Sequence, residues 1–170
     1  IAPAVFNVSR FFGSGTQLTS DAVSLEVRPL PSTAPDRFSG AVGQFDISSS
    51  VDVTAAAVNE PITLTVIVSG VGNIEALPDP GLPDIPRWRA FDSSTSVNTQ
   101  VTDGKLMGSR AYERIFVPSA EGEYSIPAIS YSYFDPDAEL YHTVATDPIT
   151  VSISPGKAEA PVVPLPGVAR

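Results

Sequence analysis

One nine-residue stretch of the sequence, residues 61–69, alternates strictly between two kinds of position. Its even positions are all branched apolar residues, namely Ile62, Leu64, Val66 and Val68. Its odd positions after the initial proline are Thr63, Thr65, Ile67 and Ser69. Successive side chains of a β-strand point to opposite faces of a sheet, so this period of two predicts a strand with its even residues inward. Period-two alternation dominates the rest of the chain as well, and the sequence therefore predicts an all-β fold.

The composition agrees with a β-rich module. Of 170 residues, 42% are hydrophobic, 17 are proline and 12 are glycine, which favours strands and turns over helices. There is no cysteine, which excludes disulfides and thiolate metal sites. The net charge of −9 argues against nucleic acid, because nucleic acid binding rewards clustered Lys and Arg. The sequence has no run of 18 apolar residues, so we expect any membrane anchor to lie outside it.

Further strands are predicted on either side of the 61–69 stretch. Gln44 to Val53 opens the domain, with Phe45, Ile47, Val51 and Val53 on one parity. A bend is expected at Gly70 to Asn73, and Asp103-Gly104 predicts a hairpin turn. The remaining predicted strands are Ser94–Val101, Arg110–Val117, one that runs from Tyr124 through Ile129 to Tyr133, and one from Leu140 to Ile153 whose residues Ile149, Val151 and Ile153 face inward.

Two aromatic residues favour an immunoglobulin-like Greek-key β-sandwich. Tyr124 opens a strand directly after the turn at Gly122, where in such sandwiches the phenol bonds back to an upstream backbone group. With that register Tyr124, Ile126 and Ala128 should face inward. The only tryptophan, Trp88, fits the role of a core residue better than that of a ligand-stacking platform.

The chain also contains an internal repeat. The segment from Pro127 to Asp147 and the strand after it repeat, in the same order, the segment from Pro3 to Asp21 and its sequel. A repeat unit is one folding unit. We therefore expect residues 1–30 to be the terminal strand pair of an upstream domain, 31–37 a linker, 38–154 a complete sandwich and 155–170 a proline- and alanine-rich linker.

Catalytic and metal-binding signatures are few. His142 is the only histidine, with Asp147 near it in sequence, and no Gly-x-Ser-x-Gly elbow is present. Asp135, Asp137 and Glu139 alternate along a turn as hard oxygen ligands for Ca²⁺ would, although Asp-Pro-Asp is also an ordinary turn sequence. We expect no enzyme activity, no cofactor and no metal.

The proline-rich segment from Leu77 to Pro86 should be a loop that crosses the domain. Its prolines, at positions 78, 80, 83 and 86, cannot donate ladder hydrogen bonds and hold the chain extended. The spacing also suits a polyproline-recognition ligand, although a structural loop is the commoner use. The long segment from Gly70 to Pro86 is the first candidate for partner binding. The residues predicted to contribute are Gly72, Asn73, Pro80, Pro83, Pro86 and Trp88.

Several short strings follow one another in a definite order along the chain. They are Phe38 to Gly43, Asn59 to Val66, Gly70 to Ile74, Leu77-Pro78, Gly108 to Arg110, Pro118, Gly122 to Pro127, Tyr133 to Pro136 and Asp147 to Ile149. In this order and spacing the sequence resembles the bacterial BatD family, also called oxygen-tolerance or aerotolerance proteins. The resemblance covers about 28–153.

This resemblance implies a protein anchored in the inner membrane, with tandem immunoglobulin-like domains in the periplasm. Such proteins are encoded beside MoxR-type ATPases and von Willebrand factor A domain proteins and are thought to share one envelope complex with them. The family brings no catalytic or cofactor residue to this sequence. We therefore expect a non-enzymatic interaction module linked to oxygen tolerance.

Two other functions remain open at the level of the sequence. An adhesin-like or carbohydrate-binding sandwich would use Trp88, Tyr131, Tyr133 and Tyr141 as stacking faces, and those aromatics should then lie exposed in one row. A hydrolase would use His142 and would need a serine and an acid that converge on it in space.

Overall fold

The computed structural model of the protein describes residues 2–8, 16–24, 26–81 and 84–156. The chain divides into two compact units, Ile1–Thr33 and Ala34–Arg170. The division falls inside the linker predicted at 31–37, while the predicted domain boundaries stay a prediction. Among the described residues, no helix is both long enough and apolar enough to cross a membrane.

The second unit is an all-β, immunoglobulin-like sandwich of two sheets. Its strands are β3 (Ala41–Val51), β4 (Ala55–Ala57), β5 (Ile62–Gly72), β6 (Trp88–Thr102), β7 (Lys105–Pro118), β8 (Gly122–Ile126), β9 (Ser130–Asp135), β10 (Leu140–Ala145) and β11 (Ile149–Ser154), with a 3₁₀ turn at Ile74–Ala76; β1 and β2 belong to the first unit. Among the described residues, the larger sheet has six strands in the order β10-β9-β3-β5-β7-β6, and the smaller has three in the order β4-β11-β8.

Strand β5 lies at the centre of the hydrophobic core. Its four even residues, from Ile62 to Val68, are fully buried, as the alternation predicts. It pairs with β3 on one side and with β7 on the other, both antiparallel. The opening strand β3 buries Phe45 and Ile47 but ends at Val51. Val53, which the same parity placed inward, lies beyond the strand end and is exposed.

The predicted bend at Gly70 to Asn73 is wrong in one respect, because β5 continues through both glycines to Gly72. Gly70 has a φ of +155°, and a Cβ atom at this position would lie 2.0 Å from the carbonyl oxygen of Gln44. The glycines therefore let the backbones of β3 and β5 approach closely within the ladder, instead of ending it.

The β6–β7 hairpin confirms the predicted turn. Asp103 and Gly104 have φ values of 52° and 74°, the two positive angles that a tight two-residue hairpin turn requires. The paired strands are longer than the sequence predicted, since β6 begins at Trp88 and β7 ends at Pro118. A register shift interrupts the ladder between Asp92 and Thr95.

Two long predicted strands are each divided between the sheets. The strand predicted from Tyr124 to Tyr133 separates into β8 and β9, because Pro127 cannot donate to a ladder and the chain crosses to the larger sheet there. Ala128 was predicted to face inward but is exposed in this crossing. The strand predicted from Leu140 to Ile153 likewise separates into β10 and β11. Within β11, Val151 and Ile153 are buried as predicted.

Tyr124 forms the tyrosine corner that the sequence predicted. Its hydroxyl donates a hydrogen bond to the carbonyl oxygen of Ala120, four residues upstream, at 3.1 Å. Its ring packs against Trp88, with the ring centroids 5.3 Å apart. The phenol thus ties the turn before β8 to the core.

The first unit reproduces one detail of the second, at the residue before the aspartate that the repeat aligns. It contains an antiparallel pair, β1 (Val5–Val8) and β2 (Thr16–Thr19). At the open end of this pair, the amide of Ala4 donates to Ser20 Oγ, and the amide of Ser20 donates to the Ala4 carbonyl. Ile129 and Thr146 form the same reciprocal clasp at the open end of the β9–β10 hairpin. The repeat therefore encodes a hairpin closed by a hydroxyl side chain that precedes an aspartate.

The continuation of that hairpin differs between the two units. Residues 21–24 and 26–30 are not in a strand, and Val23 and Val27 are exposed. Their counterparts in the second unit belong to β11, which β4 and β8 flank on both sides. The two units therefore share the hairpin, but in the described part of residues 21–30 no strand follows it.

The central position of β5 yields a testable prediction. Val66→Lys places a charge in the fully buried core and should prevent folding, because an uncompensated buried charge costs several kcal/mol. Thr65→Lys is the matched control, since Thr65 is only half-buried and lies opposite Glu113. We expect it to change the free energy of unfolding by less than about 1 kcal/mol. Similar denaturation midpoints for the two variants would contradict the inward register.

Candidate interaction surfaces

Part of the inner face of the larger sheet is covered by a loop. This covering segment comprises residues 74–81 and 84–87. Val71 pairs with Met107 and Trp88 with Pro118, so the chain between them returns along the length of β7. The predicted loop that crosses the domain is therefore present. It buries three of its apolar side chains in the common core: Ile74, Leu77 and Ile85.

Buried phenols hold the backbone of the covering segment in place. The hydroxyl of Tyr112 lies 2.9 Å from the carbonyl oxygen of Leu77 and 2.8 Å from that of Pro78. The hydroxyl of Tyr131 donates to the same Pro78 carbonyl at 3.3 Å. Because prolines supply carbonyls but no N–H groups, donors must come from side chains, and these two tyrosines provide them.

Burial also keeps these phenols protonated. Desolvation raises the pKa of Tyr112 to about 12, and the nearby positive charge of Arg110 opposes the shift only in part. Desolvation raises the pKa of Tyr131 as well. Arg110 extends along the Tyr112 ring, with 5.5 Å between its guanidinium carbon and the ring centroid, and donates to the Glu75 carbonyl at 2.7 Å. The covering segment is thus fastened near its start by Arg110 and further on by the phenols.

The pinned loop forms one wall of an open groove with a volume of about 700 Å³, here called the Pro80 groove. Its opposite wall is the crossing between β8 and β9. Asp79 shapes the rim, because its Oδ1 accepts a hydrogen bond from the Gly81 amide at 2.7 Å. The groove is lined by Arg37, Ser39, Asp79, Pro80, Gly81 and the run from Pro127 to Tyr131.

A second, smaller depression of about 390 Å³ lies where β3 and β5 meet, here called the Asn73 cleft. Asn73 joins the two strands through two hydrogen bonds to Val42. Its side-chain Oδ1 accepts from the Val42 backbone amide at 3.1 Å, and its own backbone amide donates to the Val42 carbonyl at 3.2 Å. The cleft is lined by Val42, Gly43, Gln44, Val71, Gly72, Asn73, Lys105, Pro136 and Asp137.

The residues predicted for partner binding are thus distributed over different places. Gly72 and Asn73 line the Asn73 cleft, and Pro80 lines the Pro80 groove. Pro86 is exposed in the turn that precedes β6. Pro83 lies outside the described residues. The structure therefore offers two separate surfaces where the sequence suggested one continuous segment.

Trp88, the sixth predicted partner residue, is part of the core. Only 7% of its surface is exposed, and its ring also meets Phe116 at a centroid distance of 5.8 Å. Its indole Nε1 has no hydrogen-bond partner among the described residues. Packing in the core leaves this side chain little surface that a partner could contact.

The three carboxylates considered as calcium ligands are not arranged around a common point for a metal ion; Asp135 instead accepts hydrogen bonds from its own turn. Asp135 is buried, and its Oδ1 accepts from the amides of Asp137 and Ala138 at 2.8 and 3.2 Å. Its Oδ2 accepts from the Gln44 amide side chain at 3.0 Å. Glu139 follows in the same turn with a φ of 55°. Asp135 therefore organises the β9–β10 turn by accepting its backbone amides.

These hydrogen bonds also set the ionisation of Asp135. Desolvation by burial acts to raise its pKa, but the donors from Ala138, Asp137 and Gln44 outweigh it and hold the pKa below the ordinary value. In the part of the chain that the structure describes, no group of three or more His, Cys, Asp or Glu side chains is placed to hold a metal ion.

The aromatic residues of β9 and β10 point to both faces of the sheet. Tyr133 pairs with His142 across the ladder, and their rings stack with 5.5 Å between centroids. Phe134 pairs with Tyr141 on the opposite face, where Tyr141 also contacts Phe38. The tyrosines considered for a carbohydrate platform are therefore split between two faces of the sheet.

A family model described as the BatD DUF11-like domain matches residues 49–153, which is more than half of the chain. The chain belongs to the BatD family. A search of curated proteins finds no match to its sequence. In this BatD domain the matched range contains the covering segment, both tyrosines that pin it and the crossing between β8 and β9.

The buried phenol of Tyr112 gives the BatD domain a testable alkaline dependence. A folded-state pKa of about 12, above the ordinary value of 10.0, means that the stabilisation from the neutral phenol is fully present below pH 10. It is lost as the pH rises from there through 12, because the unfolded chain releases its proton first. We expect Tyr112→Phe to flatten the loss of unfolding free energy between about pH 10 and pH 12. Parallel profiles for wild type and variant, from urea titrations, would contradict this assignment.

Proposed function

We propose that this chain is a non-enzymatic protein-interaction module of a BatD-like protein on the periplasmic side of the bacterial inner membrane. A single-pass anchor would lie in a segment outside this chain. Its partners would be the von Willebrand factor A domain proteins of the same system, with a MoxR-type ATPase engaged indirectly. The physiological role would be tolerance of oxygen and oxidative stress. The family membership supports this proposal, because BatD proteins are associated with aerotolerance.

The observation that carries the proposal is the pinned Pro80 groove. Its proline-rich wall is held by the phenols of Tyr112 and Tyr131, and its other wall is the short crossing from β8 to β9. A loop whose backbone is already ordered loses little conformational entropy when a partner docks, which favours binding. The rim carries both a guanidinium, from Arg37, and a carboxylate, from Asp79, so it can pair with polar groups of either sign.

The same geometry disfavours the carbohydrate-binding alternative. A platform for sugar rings needs aromatic faces that are exposed together. Trp88 is in the core and Tyr131 is buried with its hydroxyl committed to Pro78, while Tyr133 and Tyr141 point to opposite faces of the sheet. These positions support a module that recognises protein through loops.

The groove can be tested by filling it. Ala128 is exposed on the groove wall, and Ala128→Arg adds bulk and a charge there without disturbing the core. We expect this variant to weaken binding of the purified von Willebrand factor A domain protein at least tenfold, which corresponds to about 1.4 kcal/mol. Surface plasmon resonance with immobilised partner measures the effect directly.

Ala138→Arg is the matched control, because Ala138 is an exposed alanine in the β9–β10 turn, which does not line the groove. This control should bind as tightly as wild type. A folded Ala128→Arg variant with wild-type affinity would contradict the proposal that the partner binds in the Pro80 groove. Absence of any binding by the wild-type chain would contradict the proposed partnership itself.

A further inference from the structure

The strand β6 is an unusually long and unprotected sheet edge. It ends the six-stranded sheet, and among the described residues it pairs with β7 alone. Its 15 residues exceed the other edge strands of the described sandwich, which have six residues in β10, five in β8 and three in β4. From Thr95 to Thr102 its ladder with β7 continues without a register shift. The side chains from Ser94 to Asn98 are all exposed.

This edge has few of the features that normally prevent strands from adding to one another. Natural edge strands are protected by charged side chains, prolines, bulges or short length. The sequence from Ser93 to Thr102 contains neither a charged residue nor a proline. The register shift between Asp92 and Thr95 lies ahead of the regular portion, whose pairing with β7 is uninterrupted. An extended strand could therefore add along the residues from Thr95 to Thr102.

The distribution of charge on the chain indicates which kind of partner can pair with the β6 edge. With a net charge of −9, two copies of the chain repel one another over most of their surfaces. At the β6 edge, by contrast, two copies can meet without opposing like charges. The run from Ser93 to Thr102 contains no carboxylate, so a basic partner would gain no favourable charge–charge interaction along this edge.

The sequence of β6 is also nearly symmetric about Asn98. In an antiparallel pair centred there, Val97 lies opposite Thr99, and Thr95 opposite Val101, so that β-branched residues meet on one face. On the other face, Ser96 lies opposite Gln100. Cross-strand pairs of β-branched residues and of hydroxyl and amide groups stabilise sheets. The pattern thus suits a two-fold contact in which the same edge serves both copies.

We propose that β6 pairs antiparallel with β6 of a second copy of this chain, about a two-fold axis at Asn98. The two six-stranded sheets become one continuous sheet. An edge-to-edge contact buries less than the roughly 1,600 Å² of a standard interface, so the dimer forms weakly and its population rises with concentration. No residue of β6 lines the Pro80 groove, and the dimer leaves both grooves open. The inference does not depend on the proposed function.

Sedimentation velocity of the full chain over a wide concentration range tests this contact. We expect a monomer–dimer equilibrium for the wild type. Ser96→Lys with Gln100→Lys places lysine opposite lysine twice in the dimer and should weaken dimerisation at least tenfold. Ser96→Glu with Gln100→Lys places each glutamate opposite a lysine of the other copy, and this variant should dimerise at least as well as the wild type.

Thr150→Lys with Ser152→Lys is the control for charge, since it makes the same change at two exposed residues of β11, an interior strand. It should dimerise like the wild type. Circular dichroism verifies that each variant is folded. A wild type that stays monomeric, or a double-lysine variant that dimerises normally, overturns the proposal. Equal loss in the glutamate–lysine variant overturns the register about Asn98. Growth beyond the dimer instead indicates pairing of β6 with β10, a contact that does not close.

Discussion

The structure depends on how a six-stranded sheet is covered when, in the described part of the chain, three strands oppose it. The smaller sheet supplies Ile126, Val151 and Ile153 to the common core, and the covering segment supplies further apolar side chains, Leu77 among them. A loop can complete a core only if its backbone polar groups find partners away from water. The hydroxyls of Tyr112 and Tyr131 together meet this requirement for two consecutive carbonyls, those of Leu77 and Pro78. The covering segment thus takes the place that further strands occupy in a larger second sheet.

This solution links the core directly to the surface. The prolines that keep the covering segment extended also remove backbone donors, so its shape is fixed by side chains of β7 and β9. The phenols of Tyr112 and Tyr131 meet at the Pro78 carbonyl, two residues before Pro80 on the groove wall. A binding surface on a loop is thereby held by a rigid scaffold, which is a common arrangement in recognition domains. The β6 edge, by contrast, is exposed because no further strand of the described residues lies beside it.

Local patterns in the sequence predicted those features that local physics decides. The alternation in β5, the two-residue turn at Asp103-Gly104 and the phenol bond of Tyr124 each depend on residues close in sequence, and each is confirmed. The candidate site was harder to predict from the sequence. Its decisive contacts join Tyr112 and Tyr131 to carbonyls 34 and 53 residues away, a pairing that no local pattern encodes. The crossings between sheets were missed for a related reason, since alternation continues through them and only Pro127 indicates a break.

The claim that the covering segment belongs to the core can be tested most directly by native-state hydrogen exchange. At the start of the covering segment, the amides of Ala76 and Leu77 donate to the carbonyls of Asn73 and Ile74. If the segment completes the core, these amides should open only with global unfolding, at a free energy close to that of the Val66 amide in β5. Exchange of Ala76 and Leu77 at rates near those of an unfolded chain, while Val66 stays protected, would contradict the account.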